Sequence, residues 1–83
     1  MDFTVYILFS ATSNVYYKGF TTNLSNRLVY HLSGKSPYTS KSNDWVLVYS
    51  KEFENKTEAL KEEKRLKKLN RLSIEKLISS GKV

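Results

Sequence analysis

The chain has 83 residues, with 14 lysines and arginines against 8 acidic residues, which gives a formal net charge of +6. This length predicts a single domain spanning residues 1–83 with one modest core, and the excess of positive charge favours a polyanionic partner. The absence of cysteine excludes disulfides, thiolate catalysis and cysteine-ligated metals, and it suits a cytoplasmic location.

Two strands that form a hairpin are the first predicted elements. Phe3 to Phe9 (FTVYILF) is β-branched and aromatic, and no basic start of the kind found in signal peptides precedes it. Ser10 to Asn14 (SATSN) is rich in turn residues, and Val15 to Phe20 is the second strand. No apolar run along the chain approaches the length of a membrane span, so a membrane role is not expected.

The hairpin brings two tyrosines together. If Phe9 pairs with Asn14, the same register places Tyr6 opposite Tyr17, and directly opposed residues share one face of a sheet. Both hydroxyls would then emerge side by side. Cross-strand aromatic pairs also stabilise ordinary sheets, so the pair alone does not indicate chemistry.

A helix is predicted next, capped by Asn23 or Thr22 and running to about Ser33, where Gly34 ends it. Its buried stripe follows the spacing i, i+4, i+8 and consists of Leu24, Leu28 and Leu32.

Two polar residues lie at one edge of this stripe. Arg27 and His31 are four residues apart, and they are therefore neighbours on the helix surface. They lie at the boundary between core and solvent, where the wall of a cleft would be. A surface arginine beside a partly buried histidine is the common non-functional reading of such a pair.

The next segments are a polar loop and a third strand. Gly34 to Asp44 is polar and contains the only proline, and we interpret it as a loop able to close over a site. Trp45 to Tyr49 (WVLVY) is an uninterrupted apolar run, which predicts a strand buried on both faces, either central in the sheet or covered by helices.

A capping box opens the second helix, with Asn55 followed three residues later by Glu58, and the helix runs to about Leu69. Its apolar arc consists of Ala59, Leu60, Leu66 and Leu69.

Two glutamates fall within this arc, Glu63 near its middle and Glu62 nearer its edge. A carboxylate that faces a core is costly unless it is paired, protonated or bound to a cation. Two structural alternatives are open: the helix is rotated or frayed so that both glutamates are solvated, or Glu63 pairs with Lys67 at i, i+4.

A short last helix is predicted from a cap at Ser73 to Ile78, with Gly81 just beyond its end. The element order β-β-α-β-α-α predicts an α+β fold, in which helices flank a small, three-stranded, mostly antiparallel sheet.

Taken together, these residues resemble the GIY-YIG nuclease superfamily in its compact single-domain form, similar to the N-terminal cleavage domain of the excinuclease C subunit. The first motif corresponds to Val5-Tyr6-Ile7, with valine in place of glycine. The second corresponds to Tyr17-Lys18-Gly19, with lysine as its middle residue. Arg27 and His31 match the family positions on the first helix, and Glu63 matches the acidic metal ligand.

The resemblance implies the GIY-YIG fold and a metal-dependent DNA endonuclease of the kind that acts in DNA repair. It implies that Tyr6 or Tyr17 activates a water molecule, that Arg27 steadies the phosphate, and that His31 orients groups or relays a proton. It implies that Glu63 holds a single Mg²⁺ or Mn²⁺ ion. One acidic candidate does not suffice for two bridged metals.

The partner expected from charge and resemblance is DNA, with RNA not excluded. The lysines predicted to contact it are Lys18, Lys35, Lys41, Lys64, Lys67 and Lys68. Two alternatives belong to other classes of protein: a non-catalytic nucleic-acid-binding domain that retains the nuclease fold, and an interaction module whose basic helix docks an acidic protein.

Overall fold

The computed structural model describes residues 3–34 and 39–80. Within these ranges the elements are β1 Phe3–Ser10, β2 Val15–Thr21, α1 Leu24–Leu32, a 3-10 helix Thr39–Lys41, β3 Val46–Phe53, α2 Lys56–Lys68 and α3 Arg71–Ser80. The α+β class and the order β-β-α-β-α-α are confirmed. None of the helices in the described ranges combines the length and apolar character needed to cross a bilayer.

The sheet has the strand order β2-β1-β3, and both pairs of neighbours are antiparallel. β1 is central because it is apolar on both faces, and four consecutive side chains are at most 1% exposed: Val5, Tyr6, Ile7 and Leu8. The prediction for the third strand was therefore wrong. β3 lies at an edge, where Val46 is 58% exposed, and Trp45 is buried just before the strand begins.

The hairpin register differs from the predicted one. Tyr6 lies opposite Gly19, and Tyr17 lies opposite Leu8. The predicted pairing was therefore wrong by two residues. Because side chains alternate with a period of two, a shift of two residues leaves every side chain on its predicted face. Tyr6 and Tyr17 thus share a face, with ring centroids 6.3 Å apart.

Helices cover both faces of the sheet. On one face, α1 packs against a cluster of Tyr6, Leu8 and Trp45 through its residues Leu24 and Leu28. On the other face, α2 and α3 complete a second cluster, whose buried members are Val5, Ile7, Ala59, Leu66 and Ile74. The side chain of Tyr6 consequently points to the α1 side of the sheet.

α1 begins and ends as predicted, but its buried stripe is different. The side chain of Asn23 caps the helix, and Gly34 follows its end with a φ of 78°. Leu32, which was predicted to be buried, is 54% exposed, whereas His31 is only 2% exposed. The helix is turned so that the histidine faces the sheet, which is tolerable because both of its ring nitrogens have hydrogen-bond partners.

α2 has the predicted cap, since the side chain of Asn55 accepts a hydrogen bond from the backbone N–H of Glu58 at 2.8 Å. Ala59 and Leu66 are buried as expected. Leu60 was wrongly placed in the buried arc and is 41% exposed.

α3 begins earlier than predicted. Its cap is Asn70, whose side chain accepts a hydrogen bond from the backbone N–H of Ser73 at 2.9 Å, so Ser73 lies inside the helix. The predicted stop at Gly81 lies outside the described residues.

The β1–β2 turn is held from the side by Asp44. Its carboxylate accepts hydrogen bonds from the hydroxyl of Ser10 at 2.6 Å and from the backbone N–H of Thr12 at 2.9 Å. These bonds hold the pKa of Asp44 below its ordinary value of 3.8. The turn is thereby joined to the segment that leads into β3.

Replacing Asp44 by Asn is expected to lower the melting temperature at neutral pH. A folded-state pKa below the unfolded value means that the carboxylate stabilises the fold above about pH 4. This contribution is lost as the pH falls through the folded pKa, so the two proteins should converge in acid. Melting curves at pH 7 and near pH 3 measure this, and an equal difference at both values would contradict it.

Candidate active site

A chain of hydrogen bonds runs from the central strand through α1 to the 3-10 helix. The hydroxyl of Tyr6 lies 2.9 Å from Nε2 of His31, and Nδ1 of the same imidazole lies 2.9 Å from Oγ1 of Thr39. All three side chains are at most 2% exposed. A phenol and an imidazole in buried contact form an acid–base couple, which is the first chemical requirement of proton transfer.

Burial acts on both members of this couple. It is the main cause that raises the pKa of Tyr6 above its ordinary value, and the neighbouring Tyr17 adds to the effect. Burial also lowers the pKa of His31, with a further contribution from the charge of Arg27. At neutral pH the phenol therefore keeps its proton and the imidazole is neutral, so a lone pair on the ring is available to accept that proton.

Tyr17 completes an aromatic group around the imidazole. Its ring centroid lies 4.9 Å from that of His31 in an edge-on arrangement, and its side chain is half-buried. Of the two tyrosines, Tyr17 is therefore the one nearer to solvent.

Arg27 lies at the rim of this group, on the exposed side of α1. Its guanidinium stacks on the ring of Tyr30, 5.2 Å from the centroid. Beside it is an open cavity of about 210 Å³, lined by Thr21, Asn23, Asn26, Arg27 and Tyr30. Polar side chains and a single cation around a surface cavity suit a phosphate group of an extended substrate.

Gly19 explains how Tyr6 reaches the histidine. The two residues are paired across the hairpin, and a Cβ atom at position 19 would lie only 2.5 Å from both Cζ and Oη of Tyr6. The tyrosine ring therefore lies directly over the glycine, which leaves the hydroxyl free to point at His31.

Replacing Gly19 by Ala is expected to displace the Tyr6 ring and break its bond to His31. Overpacking of this kind costs about 1–3 kcal/mol. The melting temperature should fall, and the ring resonances of His31 should shift. Ala at Gly34 is the control, since a Cβ there has no neighbour within 4 Å, although the left-handed backbone adds strain. An unchanged His31 spectrum in folded Gly19→Ala protein would contradict the expectation.

Glu63 approaches this centre from the other face of the sheet. It lies on α2 between the buried residues Ala59 and Leu66, and its side chain is 20% exposed. Its carboxylate forms an ion pair with Lys67 at 3.5 Å, the alternative that the sequence left open. Its charge also reaches Tyr6, whose pKa it helps to raise.

Glu62 is more buried than predicted, with a side chain only 12% exposed against 20% for Glu63. It accepts two hydrogen bonds from Arg65, at 2.7 and 2.8 Å, and one from the hydroxyl of Tyr49 at 3.2 Å. These bonds lower the pKa of Glu62. Glu62 is therefore buried by these contacts rather than by its position within the apolar arc, and they give it a structural role.

The lysines proposed to contact nucleic acid are dispersed. Lys18 pairs with Ile7 and therefore lies on the face opposite the tyrosines. Lys64 and Lys68 are exposed on α2, where the described ion pairs involve Lys61, Arg65 and Lys67 instead. Lys41 is exposed at the end of the 3-10 helix, and Lys35 lies outside the described residues.

Sequence reasoning missed Thr39. It lies in the polar loop, is completely buried, and contacts the only histidine of the chain. A threonine in a loop has no periodic pattern that marks it as buried, so only the fold reveals this contact.

The three-stranded antiparallel sheet with helices on both faces, in the order β-β-α-β-α-α, is the architecture expected of a GIY-YIG domain. A family model described as the GIY-YIG catalytic domain matches residues 2–76, and the chain therefore belongs to this family. Nucleases of the family generally use a divalent metal ion.

Within the family, the chain is similar to proteins named UPF0213. It is 43% identical over 75 residues to UPF0213 protein OB0043 of Oceanobacillus iheyensis, a match that covers 89% of this chain and 86% of that protein. It is 40% identical over 80 residues to UPF0213 protein CPE1444 of Clostridium perfringens, covering 95% and 85%. The solution NMR structure of UPF0213 protein BH0048 from Bacillus halodurans matches with a TM-score of 0.65 and 35% identity, over 98% of this chain and 86% of that one.

Proposed function

We propose that this protein is a metal-dependent DNA endonuclease that hydrolyses phosphodiester bonds with water activated at the tyrosine pair. The observation that carries the proposal is the buried hydrogen bond between Tyr6 and His31, with Tyr17 beside it. A neutral imidazole in contact with a protonated phenol is an acceptor in place for a proton that must leave a water molecule.

The two tyrosines differ in their proton acceptors and in their exposure to solvent, and both properties affect which of them activates water. Tyr6 has a proton acceptor within hydrogen-bond distance, but its side chain is only 1% exposed. Tyr17 is half-buried and is therefore closer to solvent. The raised pKa of Tyr6 and the lowered pKa of His31 keep the proton on the phenol in the resting protein. Tyr6 therefore passes its proton to His31 only as it takes one from water, and it does not need to exist as a phenolate beforehand.

Arg27 supplies the positive charge for the phosphate. Its guanidinium lies beside the open cavity and close enough to the centre for its charge to act on both Tyr6 and His31. A planar guanidinium binds phosphate oxygens through two parallel hydrogen bonds. We assign the scissile phosphate to this cavity.

Glu63 is the proposed metal ligand, and its single carboxylate would suit a Mg²⁺ or Mn²⁺ ion that takes its other ligands from water and substrate. Among the described residues there is no group of three or more histidine, cysteine or acidic side chains that could hold an ion alone. Mg²⁺ commonly binds one or two carboxylates and completes its shell with water and phosphate oxygens. Such an ion supplies charge neutralisation at the phosphate and the leaving oxygen. A carboxylate oxygen of Glu63 could bind such an ion, since the ion pair with Lys67 involves a single, exposed lysine.

The basic side chains predict that binding to DNA weakens as salt rises. Each phosphate neutralised on a duplex contributes about −0.9 to the slope of log K against log salt. Neutralising Lys64 and Lys68 together should reduce the slope by up to about 2 if each contacts one phosphate. Lys76→Gln, on the exposed side of α3, is the control. Binding that is absent at low salt, or insensitive to salt, would contradict both nucleic-acid proposals.

A substrate panel separates the nuclease from its principal rival, a non-catalytic nucleic-acid-binding domain. The purified chain is incubated with Mg²⁺ and with branched, nicked, duplex and single-stranded DNA, with RNA as a further substrate. The proposal expects cleavage of at least one of them. Binding without cleavage on every substrate would support the rival instead.

A further inference from the structure

The loop between α1 and β3 places Thr39 behind the imidazole. Its side chain is 0% exposed, and its hydroxyl oxygen lies 2.9 Å from Nδ1 of His31. Its backbone carbonyl accepts the indole N–H of Trp45 at 2.8 Å, and Trp45 packs in the cluster that contains Tyr6. Thr39 is therefore fixed to the same buried cluster as the tyrosine whose partner it contacts.

The directions of the two hydrogen bonds to His31 determine which ring nitrogen carries the proton. A neutral imidazole has one N–H donor and one lone-pair acceptor. Either Tyr6 donates to Nε2 while Nδ1–H donates to Thr39, or both bonds run in the opposite direction. A phenol is a stronger acid than an aliphatic alcohol, even though burial raises the pKa of Tyr6, and it is hence the better donor. The alcohol oxygen of Thr39 is the better acceptor, so the first arrangement is favoured.

We propose that Thr39 is a positioning residue that holds His31 as its Nδ1–H tautomer, so that the Nε2 lone pair can take the phenolic proton of Tyr6. The hydrogen bond at one ring nitrogen determines the protonation of the other. As the proton moves from Oη of Tyr6 to Nε2, Oη takes a proton from water and the resulting hydroxide attacks phosphorus. The P–O bond to the leaving oxygen of the nucleic acid then breaks, and that oxygen takes a proton from solvent. The bond from Nδ1–H to Thr39 is retained throughout, and His31 returns its proton to solvent.

The consequence for catalysis rests on the proposed function, but the tautomer is a property of the folded protein alone. It is measurable because His31 is the only histidine in the chain. Two-bond ¹H–¹⁵N correlation spectra distinguish a protonated ring nitrogen from one with a free lone pair. The spectra are recorded on the whole, uncut chain across a pH series. The charged and titratable groups that face the ring are Tyr6, Tyr17, Arg27 and Tyr30.

Two substitutions test the role of the hydroxyl. Thr39→Val keeps the shape and removes the acceptor, whereas Thr39→Ser retains it. We expect the wild type and Thr39→Ser to show Nδ1–H, and Thr39→Val to show a substantial population of Nε2–H. In a cleavage assay Thr39→Val should lower kcat at least tenfold with little change in KM, and Thr39→Ser should restore it.

The wild-type spectrum tests the predicted tautomer even if Thr39→Val fails to fold. A predominant Nε2–H tautomer in the wild type would overturn the proposal, as would an unchanged Nδ1–H tautomer in folded Thr39→Val. The expected spectra in a protein that cuts no nucleic acid would refute the nuclease and leave the assignment of Thr39 standing.

Discussion

Replacing Glu63 by Gln is expected to abolish DNA cleavage while the protein stays folded and bound to DNA. Gln keeps the size of the side chain and removes the charge that a hard cation requires. Binding should persist or strengthen, because a negative charge near the phosphate is gone. The cost in stability is small, since the pair with Lys67 is of the i, i+4 type, worth about 0.2–0.5 kcal/mol.

Glu62→Gln is the matched control, one residue away on the same helix. It weakens the bonds to Arg65 and Tyr49, and we expect a loss of about 1 kcal/mol, because Arg65 is half-exposed and solvent screens the charge. In a domain of this size, that lowers the melting temperature by about 4–8 °C. Cleavage by the folded Glu62→Gln protein should be nearly normal.

The two variants therefore separate catalysis from structure. Cleavage rate, DNA affinity and melting temperature are measured for both. Full activity in folded Glu63→Gln protein would contradict the assignment of Glu63 as the metal ligand. If Glu63 served only to bind Lys67, Lys67→Gln should destabilise the fold as much as Glu63→Gln, and activity should fall only in step with folded protein.

Replacing Tyr6 by Phe is expected to lower the cleavage rate by about 10²–10⁴-fold, the usual contribution of a positioned proton-transfer group. The ring still covers Gly19, but Nε2 of His31 loses its partner in a buried position. An unsatisfied buried group costs about 1–3 kcal/mol, so the variant should also melt earlier. Rates must therefore be compared well below its melting temperature.

Tyr17→Phe distinguishes the roles of the two tyrosines. Its hydroxyl belongs to a half-buried side chain, and its removal should change stability less than Tyr6→Phe does. A large loss of rate without a loss of stability would assign contact with the attacking water to Tyr17. Wild-type rates in folded Tyr6→Phe protein would refute a catalytic part for the Tyr6–His31 couple.

The element order, the caps at Asn23 and Asn55, and the common face of the tyrosines were accessible from sequence, because each depends on local patterns. The tyrosine face was predicted correctly from an incorrect register. Alternation tolerates a shift of two residues, whereas a shift of one would have separated Tyr6 from Tyr17.

The features that the sequence did not predict depend on how the helices and strands are oriented relative to one another. Leucine periodicity placed His31 at the edge of the stripe on α1, but two hydrogen bonds from distant segments allow it to be buried in place of Leu32. The apolar run from Trp45 to Tyr49 suggested a strand buried on both faces, either central in the sheet or covered by helices. The central strand is β1, which is apolar on both faces. β3 lies at an edge of the sheet and has exposed apolar side chains.

The most direct test of the central proposal is single-turnover cleavage of labelled DNA, with protein in excess so that a slow nuclease still yields product. Wild-type protein is assayed with Mg²⁺ and with a chelator, beside Glu63→Gln protein purified in the same way. We predict product only from the wild type with Mg²⁺. Absence of product from the wild type with Mg²⁺ or Mn²⁺ on every substrate, or equal product in the presence of the chelator, would contradict a metal-dependent nuclease centred on Tyr6, His31 and Glu63.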